Sequence, residues 1–343
     1  SGKVANYCIK ADTTLSFTSA KPVNILKPSA EMCGKTLVAQ VGISKDIIDS
    51  LPASFSITKE QAVKNMFKKR DPLSHKGMYG KLLMFCGSYG MVGAGIMAAR
   101  GALRSGVGLL NMVVSKECYP IMATAVPEAV FTIMDDSNEE TIKKSSEKLF
   151  AAINSATACV IGSGLGEYTE KYLPTVIKFA NAPLVLDADA LRFLSENLEL
   201  LKERNAEIVI TPHHGEMAKL CKKTTEQIYV DRLLIAKQFS QEHKILTILK
   251  GAGTVIASDD GEIKVNTTGN AGMATGGSGD VLAGMIGSLL AQGLSLKDSA
   301  VAGVYIHGKA GDICAEKLSQ ISMLPTDLIE ALPEVFSEIE TKI

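Results

Sequence analysis

The chain has 343 residues, of which 46% are apolar, enough for one large hydrophobic core and a smaller unit beside it. Its 36 basic residues nearly balance 37 acidic ones, for a net charge of −1, so no basic surface is available to hold a nucleic-acid backbone. No apolar run reaches the ~20 residues of a membrane span, and the first thirty residues lack a basic-then-apolar signal pattern. These features exclude nucleic-acid and membrane functions and predict a cytoplasmic protein.

Cysteine spacing argues against both a disulfide framework and a zinc site. The seven cysteines are far apart, odd in number and without a Cys-x-x-Cys pair. We therefore expect them to be buried thiols of the core. They are Cys8, Cys33, Cys86, Cys118, Cys159, Cys221 and Cys314.

Residues 1–50 do not follow the pattern of the remaining chain. KADTTLSF and KTLVAQVGI are strand-like, with no predicted crossover helix between them, and a Ser/Thr/Lys-rich stretch containing Pro22 and Pro28 connects them. Such a segment is too small to enclose its own core, so it is expected to pack on the main body or to end a domain that lies upstream. Residues 51–74 read as a connector with a short helix.

From Leu82 onward, short apolar runs alternate with helical patterns, which predicts a parallel sheet covered on both faces. Helical patterns span 139–154, 168–181 and 225–243. After Lys250, TVIAS and EIKVN flank an Asp-Asp-Gly turn and predict a hairpin, and three helices are expected to begin near Ser278, Ser295 and Thr326. The strand-like runs are LLMFCG, LLNMVV, ACVIG, PLVLDA, EIVITP and ILTILK.

The segment GNAGMATGGSGDVLAG (269–284) places glycines and one acid directly before an apolar helix. The first turn of that helix offers unpaired N–H groups and the positive end of the helix dipole, so Gly277, Ser278, Gly279 and Asp280 form a candidate anion hole for a transferring phosphate. A carboxylate beside phosphate is repelled unless it faces another group, such as a hydroxyl whose proton it accepts. Asp280 is therefore a candidate base, and helix capping is the alternative.

Two more glycine-rich loops, GSYGMVGAG (87–95) and IGSGLGE (161–167), each lie between a strand and a helix. The first superficially resembles a Rossmann turn, but the next strand ends in Ser115 rather than the acid that would hold a ribose. A redox NAD site is therefore not favoured. Three glycine-rich strand ends on one sheet are expected to converge on one ligand-binding crevice.

Four other features carry candidate side chains. In TPHHGEMAKL (211–220), contact of one histidine with a substrate is favoured over metal ligation, and capping by His214 or Glu216 is the alternative. In LKGAGTVI (249–256), backbone amides could hold a nucleotide, or Lys250 could be a solvated turn residue. Asp187 and Asp189 are expected to cap a helix rather than bind water or metal, and His307 is expected to be packed in a helix.

Together with KGMYGKLLMFCGSYGMVGAGIMAARGALRSGVGLL, these motifs resemble, in order and over about residues 60–340, the ADP- or ATP-dependent NAD(P)H-hydrate dehydratases. The resemblance implies an α/β, ribokinase-like domain at 75–343, with a mostly parallel central sheet and helices on both faces. The stretch SGKVANYCIKADTTLSF resembles the closing strands of the NAD(P)H-hydrate epimerase domain fused upstream in many bacterial members. Residues 1–50 would then be a remnant of that domain, unable to catalyse epimerisation alone.

The resemblance also implies a site. Ala94, Gly164, His213 and Asp280 would contact the hydrated nicotinamide nucleotide. The adenine nucleotide would be bound by Lys250, Gly251, Ala252, Gly253, Thr254 and Gly279. The fusion favours ADP over ATP, Mg²⁺ is expected to screen the phosphates through ligands that the motifs do not assign, and a homo-oligomer of four or more subunits is expected.

The implied activity is conversion of (6S)-NAD(P)H hydrate (NADHX or NADPHX) back to NAD(P)H, with ADP converted to AMP and phosphate. Asp280 would take the proton of the 6-hydroxyl as its oxygen attacks the terminal phosphate. Two alternatives remain open from the residues alone. One is a ribokinase-like kinase of a vitamin or sugar, and the other is a nucleotide sensor without catalysis.

Overall fold

The computed structural model describes residues 4, 7–51, 53–135 and 137–341, so part of the stretch SGKVANY lies outside the described residues. A two-stranded sheet pairs β1 with β2, and a ten-stranded sheet has the order β3-β12-β11-β10-β9-β8-β7-β4-β5-β6. The strands are β1 (Thr13–Phe17), β2 (Lys35–Ala39), β3 (Ser56–Ile57), β4 (Lys81–Phe85), β5 (Leu109–Ser115), β6 (Val130–Met134), β7 (Ala158–Ile161), β8 (Leu184–Leu186), β9 (Ile208–Ile210), β10 (Leu246–Leu249), β11 (Val255–Ala257) and β12 (Ile263–Val265).

Helices connect these strands and cover both faces of the large sheet. They are α1 (Pro22–Ile25), α2 (Ala30–Cys33), α3 (Lys45–Ser50), α4 (Glu60–Lys64), α5 (Val92–Arg104), α6 (Tyr119–Ala125), α7 (Glu139–Ser155), α8 (Tyr168–Phe179), α9 (Asp189–Leu194), α10 (His214–Leu220), α11 (Thr225–Val230), α12 (Arg232–His243), α13 (Ser278–Ala291), α14 (Leu296–Leu318) and α15 (Pro325–Glu340). Among the described helices, none combines the length and apolar character needed to cross a bilayer.

The seven consecutive strands from β10 to β6 in this order are parallel to one another, whereas β11 forms antiparallel pairs with β10 and β12. The predicted parallel sheet and the hairpin are thus confirmed. Strand β4 pairs with β5 on one side and with β7 on the other, so successive strands are added outward in opposite directions. Ligands of open α/β sheets bind in the crevice outside the carboxyl ends of strands at such a switch point.

Side chains of β4 alternate between two hydrophobic cores, because successive residues of a strand point to opposite faces. Leu82 and Met84 belong to the core formed with α5, α13 and α14. Leu83 and Phe85 belong to the core formed with α7, α8 and α12. Burial on both faces explains why the strands are continuously apolar rather than alternating with polar residues.

The N-terminal segment has more structure than the sequence predicted. Strands β1 and β2 pair in parallel, with Thr13 opposite Lys35, and two one-turn helices, α1 and α2, lie between them. The prediction of no helix in this connection was therefore wrong. Four residues are too few to display a helical period, so the sequence carried no signal for either helix.

Three other expectations need correction or addition. The connector contains the expected short helix, α4, but also β3, whose two residues join the large sheet beside β12. The predicted helix 225–243 is interrupted at Asp231, which ends α11 and precedes α12. Cys8 is exposed and Cys221 is only partly buried, whereas the other five cysteines are buried.

The backbones of helices α5 and α13 are in direct contact. A Cβ atom at Gly284 of α13 would lie 1.9 Å from the carbonyl oxygen of Ala98 in α5, and a Cβ at Gly101 of α5 would lie 2.8 Å from the carbonyl oxygen of Val281. Glycine at these positions lets the two helix backbones touch. This contact fixes the beginning of α13 relative to the strand ends.

We expect Gly284→Ala to lower the free energy of unfolding by about 3 kcal/mol, because the new methyl group meets backbone that can only move by separating the helices. Gly93→Ala in α5 is the matched control, since a Cβ there meets no described atom within 4 Å. That control should gain up to about 1 kcal/mol from helix propensity. Urea unfolding of both variants measures the difference, and equal stability of the two would contradict this account of the helix contact.

Candidate active site

The candidate site lies at the carboxyl ends of β4, β7, β8, β9 and β10, where five consecutive sheet neighbours are followed by loops. Two of these loops are bonded to each other. Gly87 N–H donates to the carbonyl oxygen of Ser163 at 2.9 Å, and Ser88 Oγ donates to the carbonyl oxygen of Gly164 at 2.9 Å. The glycine-rich loops after β4 and β7 therefore form one surface.

Ala94 and Gly164, both predicted to bind substrate, are neighbours on this surface. Gly164 has φ +62°, and a Cβ there would lie 2.7 Å from the Cβ of Ala94 and 2.9 Å from the carbonyl oxygen of Met91. Only glycine combines this backbone conformation with so close an approach. The first turn of α5 and the loop after β7 thus meet where the sheet changes direction.

A buried carboxylate, Asp187, connects the ends of four strands. Its side chain is 2% exposed and accepts hydrogen bonds from Ser163 Oγ at 3.2 Å, Thr211 Oγ1 at 2.7 Å and Lys250 Nζ at 2.9 Å. Asp187 therefore does not cap α9, whose N-cap is Ala188 without a side-chain bond. The alternative of a solvated Lys250 is also wrong, because this ammonium is paired with a buried carboxylate.

Lys250 brings a positive charge to the beginning of α13. A Cβ at Gly279 would lie only 3.0 Å from Nζ, so the ammonium borders the first helical turn, whose N–H groups have no acceptor within the helix. Burial lowers the pKa of Lys250, but the carboxylates of Asp187 and Glu216 outweigh burial and leave it raised. The helix start thus combines a fixed cation with N–H groups that have no acceptor within the helix, a combination that favours anion binding.

Asp280 lies in the first turn of α13 but does not cap the helix. The N-cap is Gly277, with φ 102° and no side-chain hydrogen bond. Burial and the nearby Asp187 carboxylate raise the pKa of Asp280 to about 6, against the opposing effects of Ser163 and Lys250. A carboxyl with a pKa near neutrality can accept and release a proton under physiological conditions.

The beginning of α13 also contacts His307 of α14. Ser278 Oγ and His307 Nε2 are 3.4 Å apart, and both residues are buried. Burial lowers the pKa of His307 to about 4, so the ring is neutral at physiological pH. The expected packed histidine matches this arrangement. Within the predicted anion hole, Ser278 N–H points to the carbonyl oxygen of Thr275 at 3.4 Å.

His213, and not His214, caps α10. Its Nδ1 accepts from Gly215 N–H at 3.0 Å and Glu216 N–H at 3.2 Å, while the Glu216 carboxylate accepts from His213 N–H at 2.7 Å. Burial and Lys250 lower the pKa of His213, so the ring is neutral and carries its proton on Nε2. The side chain is 60% exposed and its Nε2 lies 3.6 Å from Glu216 Oε1, so the ring is accessible to a substrate beside this carboxylate.

The predicted nucleotide loop, Lys250–Thr254, leaves the end of β10. Thr254 Oγ1 donates to the carbonyl oxygen of Gly251 at 3.0 Å, and a Cβ at Gly251 would lie 2.5 Å from His214 Cε1. His214 therefore lies against this loop, and its ring is tilted by 54° relative to the Tyr229 ring, with the ring centroids 5.3 Å apart. Gly279 borders Lys250, so the structure brings the predicted nucleotide residues together.

Asp189 has a structural partner of its own. Its carboxylate accepts from Gly166 N–H at 2.8 Å and pairs with Arg192 at 3.3 Å, so it holds the loop after β7. Among the described residues, no group of three acidic, histidine or cysteine side chains could hold a metal ion.

Ser163 and Thr211 were not predicted as site residues, although Thr211 directly follows β9 and Ser163 is the second residue after β7. Small polar side chains at consecutive strand ends were the available signal, since the carboxyl ends of parallel strands share one edge. Their hydroxyls are the remaining donors to Asp187. The sequence could place them at this edge but not identify their shared partner.

The sheet and its glycine-lined crevice define a ribokinase-like α/β protein. A ribokinase-like superfamily protein from Enterococcus faecalis has the same fold, with TM-score 0.71, 26% identity and 84% of this chain covered against 98% of that one. The predicted ribokinase-like fold is confirmed. The sequence profile described as NAD(P)H-hydrate dehydratase matches residues 82–334, and the chain belongs to this family.

Individual relatives of this chain carry names that match the family. The ADP-dependent (S)-NAD(P)H-hydrate dehydratase of Neisseria meningitidis is 38% identical over 258 residues, 74% of this chain and 83% of the relative. The bifunctional NAD(P)H-hydrate repair enzyme Nnr of Moorella thermoacetica is 34% identical over 349 residues, 100% of this chain and 65% of the relative. The chain thus spans about two thirds of the length of such bifunctional relatives.

A solved relative is similar over most of its length. The ADP/ATP-dependent NAD(P)H-hydrate dehydratase of Bacillus subtilis, co-crystallised with ATP/Mg²⁺, has TM-score 0.72 and 30% identity. The match covers 83% of this chain and 99% of that one. The likeness therefore extends over nearly the whole of that enzyme.

We expect Asp280→Asn to be more stable than the wild type at pH 7.5 by about 2 kcal/mol. The folded pKa, about 6, lies above the ordinary value of 3.8, so ionisation of Asp280 destabilises the fold as pH rises through this interval. At pH 4 the folded carboxyl is neutral and the unfolded one is only partly ionised, so the difference should fall below about 1 kcal/mol. Urea unfolding at the two pH values measures the effect. Asp260→Asn is the control and should lose stability, because Lys297 holds the pKa of Asp260 low.

We expect Lys250→Met to lower the free energy of unfolding by about 3 kcal/mol, because it leaves Asp187 buried without its cationic partner. Lys297→Met is the matched control. Its partners, Asp260 and Glu262, are exposed, so its effect should stay below about 1 kcal/mol. Guanidinium unfolding of the two variants measures both. A Lys250→Met effect no larger than the control would show that the buried pair contributes nothing.

Proposed function

We propose that this protein dehydrates (6S)-NAD(P)H hydrate to NAD(P)H, with ADP or ATP as phosphoryl donor. The observation that carries the proposal is Asp280, a partly buried carboxyl with a pKa of about 6, in the first turn of α13 beside Lys250. A group that must take a proton from a hydroxyl at neutral pH needs a pKa in this range. The named activities of the relatives agree with it.

The proposed chemistry begins when Asp280 accepts the proton of the substrate's 6-hydroxyl. The oxygen attacks the terminal phosphorus of ADP, and the bond from that phosphorus to AMP breaks. Amides of the first turn of α13 and the Lys250 ammonium meet the charge on the phosphoryl oxygens without rearrangement. The ring nitrogen lone pair then expels phosphate from the ring carbon, and loss of a proton from the adjacent carbon of the iminium so formed restores the dihydronicotinamide.

The order of the strands supports a placement for the two substrates. Ala94 and Gly164 lie at the β4–β7 switch point, and His213 projects an exposed ring from the end of β9, so these three would bind the hydrated nicotinamide. The loop Lys250–Thr254 follows β10 and would bind the adenine nucleotide. Asp280 and Gly279 lie at the junction, where the phosphoryl group is transferred.

Preference for ADP and the role of Mg²⁺ are also part of the proposal. The Neisseria meningitidis relative is named as ADP-dependent, which supports ADP as the donor. The Bacillus subtilis protein was co-crystallised with ATP/Mg²⁺, which supports a role for Mg²⁺. Mg²⁺ usually binds through substrate phosphates and water with few protein ligands. We therefore assign Mg²⁺ to the nucleotide phosphates.

The proposal extends to residues 1–50 as the closing strands of an epimerase-type domain. Parallel strands normally belong to larger sheets covered on both faces, yet Leu15, Phe17 and Leu37 of the two-stranded sheet are 54%, 58% and 45% exposed. The match to the bifunctional repair enzyme of Moorella thermoacetica covers 100% of this chain, so it includes residues 1–50. A cytoplasmic homo-oligomer of at least four subunits remains a prediction of the family resemblance.

The activity is tested by mixing the protein with ADP, Mg²⁺ and NADHX, which should restore the absorbance of reduced nicotinamide and release phosphate. ATP and NADPHX are tested in parallel. A stable phosphorylated product would instead indicate a kinase, and nucleotide binding without phosphate release would indicate a sensor. No recovery with either nucleotide would rule out the dehydratase.

We expect Asp280→Asn to reduce turnover by at least about 100-fold, the usual contribution of a general base, while ADP still binds. The wild-type rate should fall as pH drops through about 6, because the protonated carboxyl cannot accept a proton. Single-turnover rates across pH and calorimetric ADP titration measure the two effects. Asp260→Asn serves as the control, and turnover of Asp280→Asn near the wild-type rate would exclude the base role.

A further inference from the structure

The N-terminal segment reaches the predicted nucleotide loop. Leu26, between α1 and α2, is 2% exposed and belongs to the core formed with α7, α8 and α12. A Cβ at Gly253 would lie 3.4 Å from Leu26 Cδ2, so the leucine side chain borders the loop. A part of the chain outside the ribokinase-like domain therefore contacts the loop that follows β10.

Arg232, the first residue of α12, joins the same two pieces of chain. Its side chain lies in the interior, with the residue 2% exposed. One terminal nitrogen donates to the carbonyl oxygen of Ala252 at 2.9 Å and the other to the carbonyl oxygen of Lys27 at 3.2 Å. The guanidinium thus bridges the N-terminal segment and the middle of the nucleotide loop.

This bridge also orients the loop peptide. In a trans peptide the C=O and the next N–H point to opposite sides. Because the Ala252 carbonyl points to Arg232, the Gly253 N–H points away from the guanidinium. A carbonyl oxygen turned toward a phosphate would repel it, whereas an N–H would attract it. Gly251 and Gly253 have φ +156° and +79°, so without an external constraint this loop could adopt several conformations.

We propose that Arg232 and Leu26 are positioning residues that hold the loop 250–254 in its nucleotide-binding conformation. The N-terminal segment is then part of the nucleotide site and not only a neighbour of it. This inference rests on the proposed nucleotide role of residues 250–254. Ordering the loop before the ligand arrives removes an entropic cost from binding, so its loss should appear as weaker nucleotide affinity rather than slower chemistry.

The test compares Arg232→Met with Arg204→Met in the full chain. Arg204 is a matched control, because its guanidinium also donates to two backbone carbonyls, those of Leu201 and Lys244, away from the loop. Arg232→Met should weaken calorimetric ADP binding about tenfold, the expected loss of a charged hydrogen bond. The KM for the hydrate and kcat at saturating ADP should stay unchanged, and Arg232→Lys should restore part of the affinity.

A second pair of variants tests the N-terminal side. Leu26→Ala should also weaken ADP binding, whereas Leu15→Ala, at an exposed position of β1, should not. The double variant Arg232→Met/Leu26→Ala should be less affected than the product of the single effects, because both residues act on one loop. If Leu26→Ala does not unfold cooperatively, Leu26→Val replaces it.

The outcomes separate this inference from the proposed function. Wild-type ADP affinity in folded Arg232→Met and Leu26→Ala would overturn the positioning role, as would an equal loss in Arg204→Met. If the wild-type protein binds ADP but does not dehydrate NADHX, the dehydratase proposal is contradicted. The positioning role can still be tested, since the affinity comparison needs no turnover. Loss of kcat without loss of affinity in Arg232→Met would also contradict the inference.

Discussion

The arrangement of the site depends on one buried carboxylate. Asp187 accepts hydrogen bonds from side chains that follow β7, β9 and β10, so three loops are bound to the end of β8. The charge is tolerated in the interior because Lys250 pairs with it. Lys250 also borders the first turn of α13, and the pair therefore links the sheet edge to the predicted anion hole.

The same negative charge affects the candidate base. Burial is the larger reason for the raised pKa of Asp280, and repulsion from Asp187 is the second. A carboxyl placed this way is less favourable for folding than a neutral residue, yet suited to proton transfer near neutral pH. Asp187, which holds the loops together, thus also raises the pKa of Asp280. This effect is a physical reason for the two carboxylates to lie in one site.

Much of the fold could be predicted from the sequence because the patterns that indicate it are local. Continuous apolar strands separated by helical periods indicated a parallel sheet, and the Asp-Asp-Gly turn indicated the hairpin, because both follow from which side chains are buried and which backbone conformations glycine permits. The helices α1 and α2 and the strand β3 escaped prediction because two to four residues carry no measurable period. The exposed Cys8 shows that residue type alone does not decide burial.

The amino-acid sequence by itself determined the class of fold, the glycine-rich loops and the identity of the acid in the first turn of α13. Only the tertiary structure decided which partners these residues have. Asp187 and Lys250 are far apart along the chain, and so are Arg232 and Lys27, so no local pattern records that they meet. Hydrogen bonding and charge pairing act over a few ångströms in space, and neighbours at that distance are set by how the strands and helices pack.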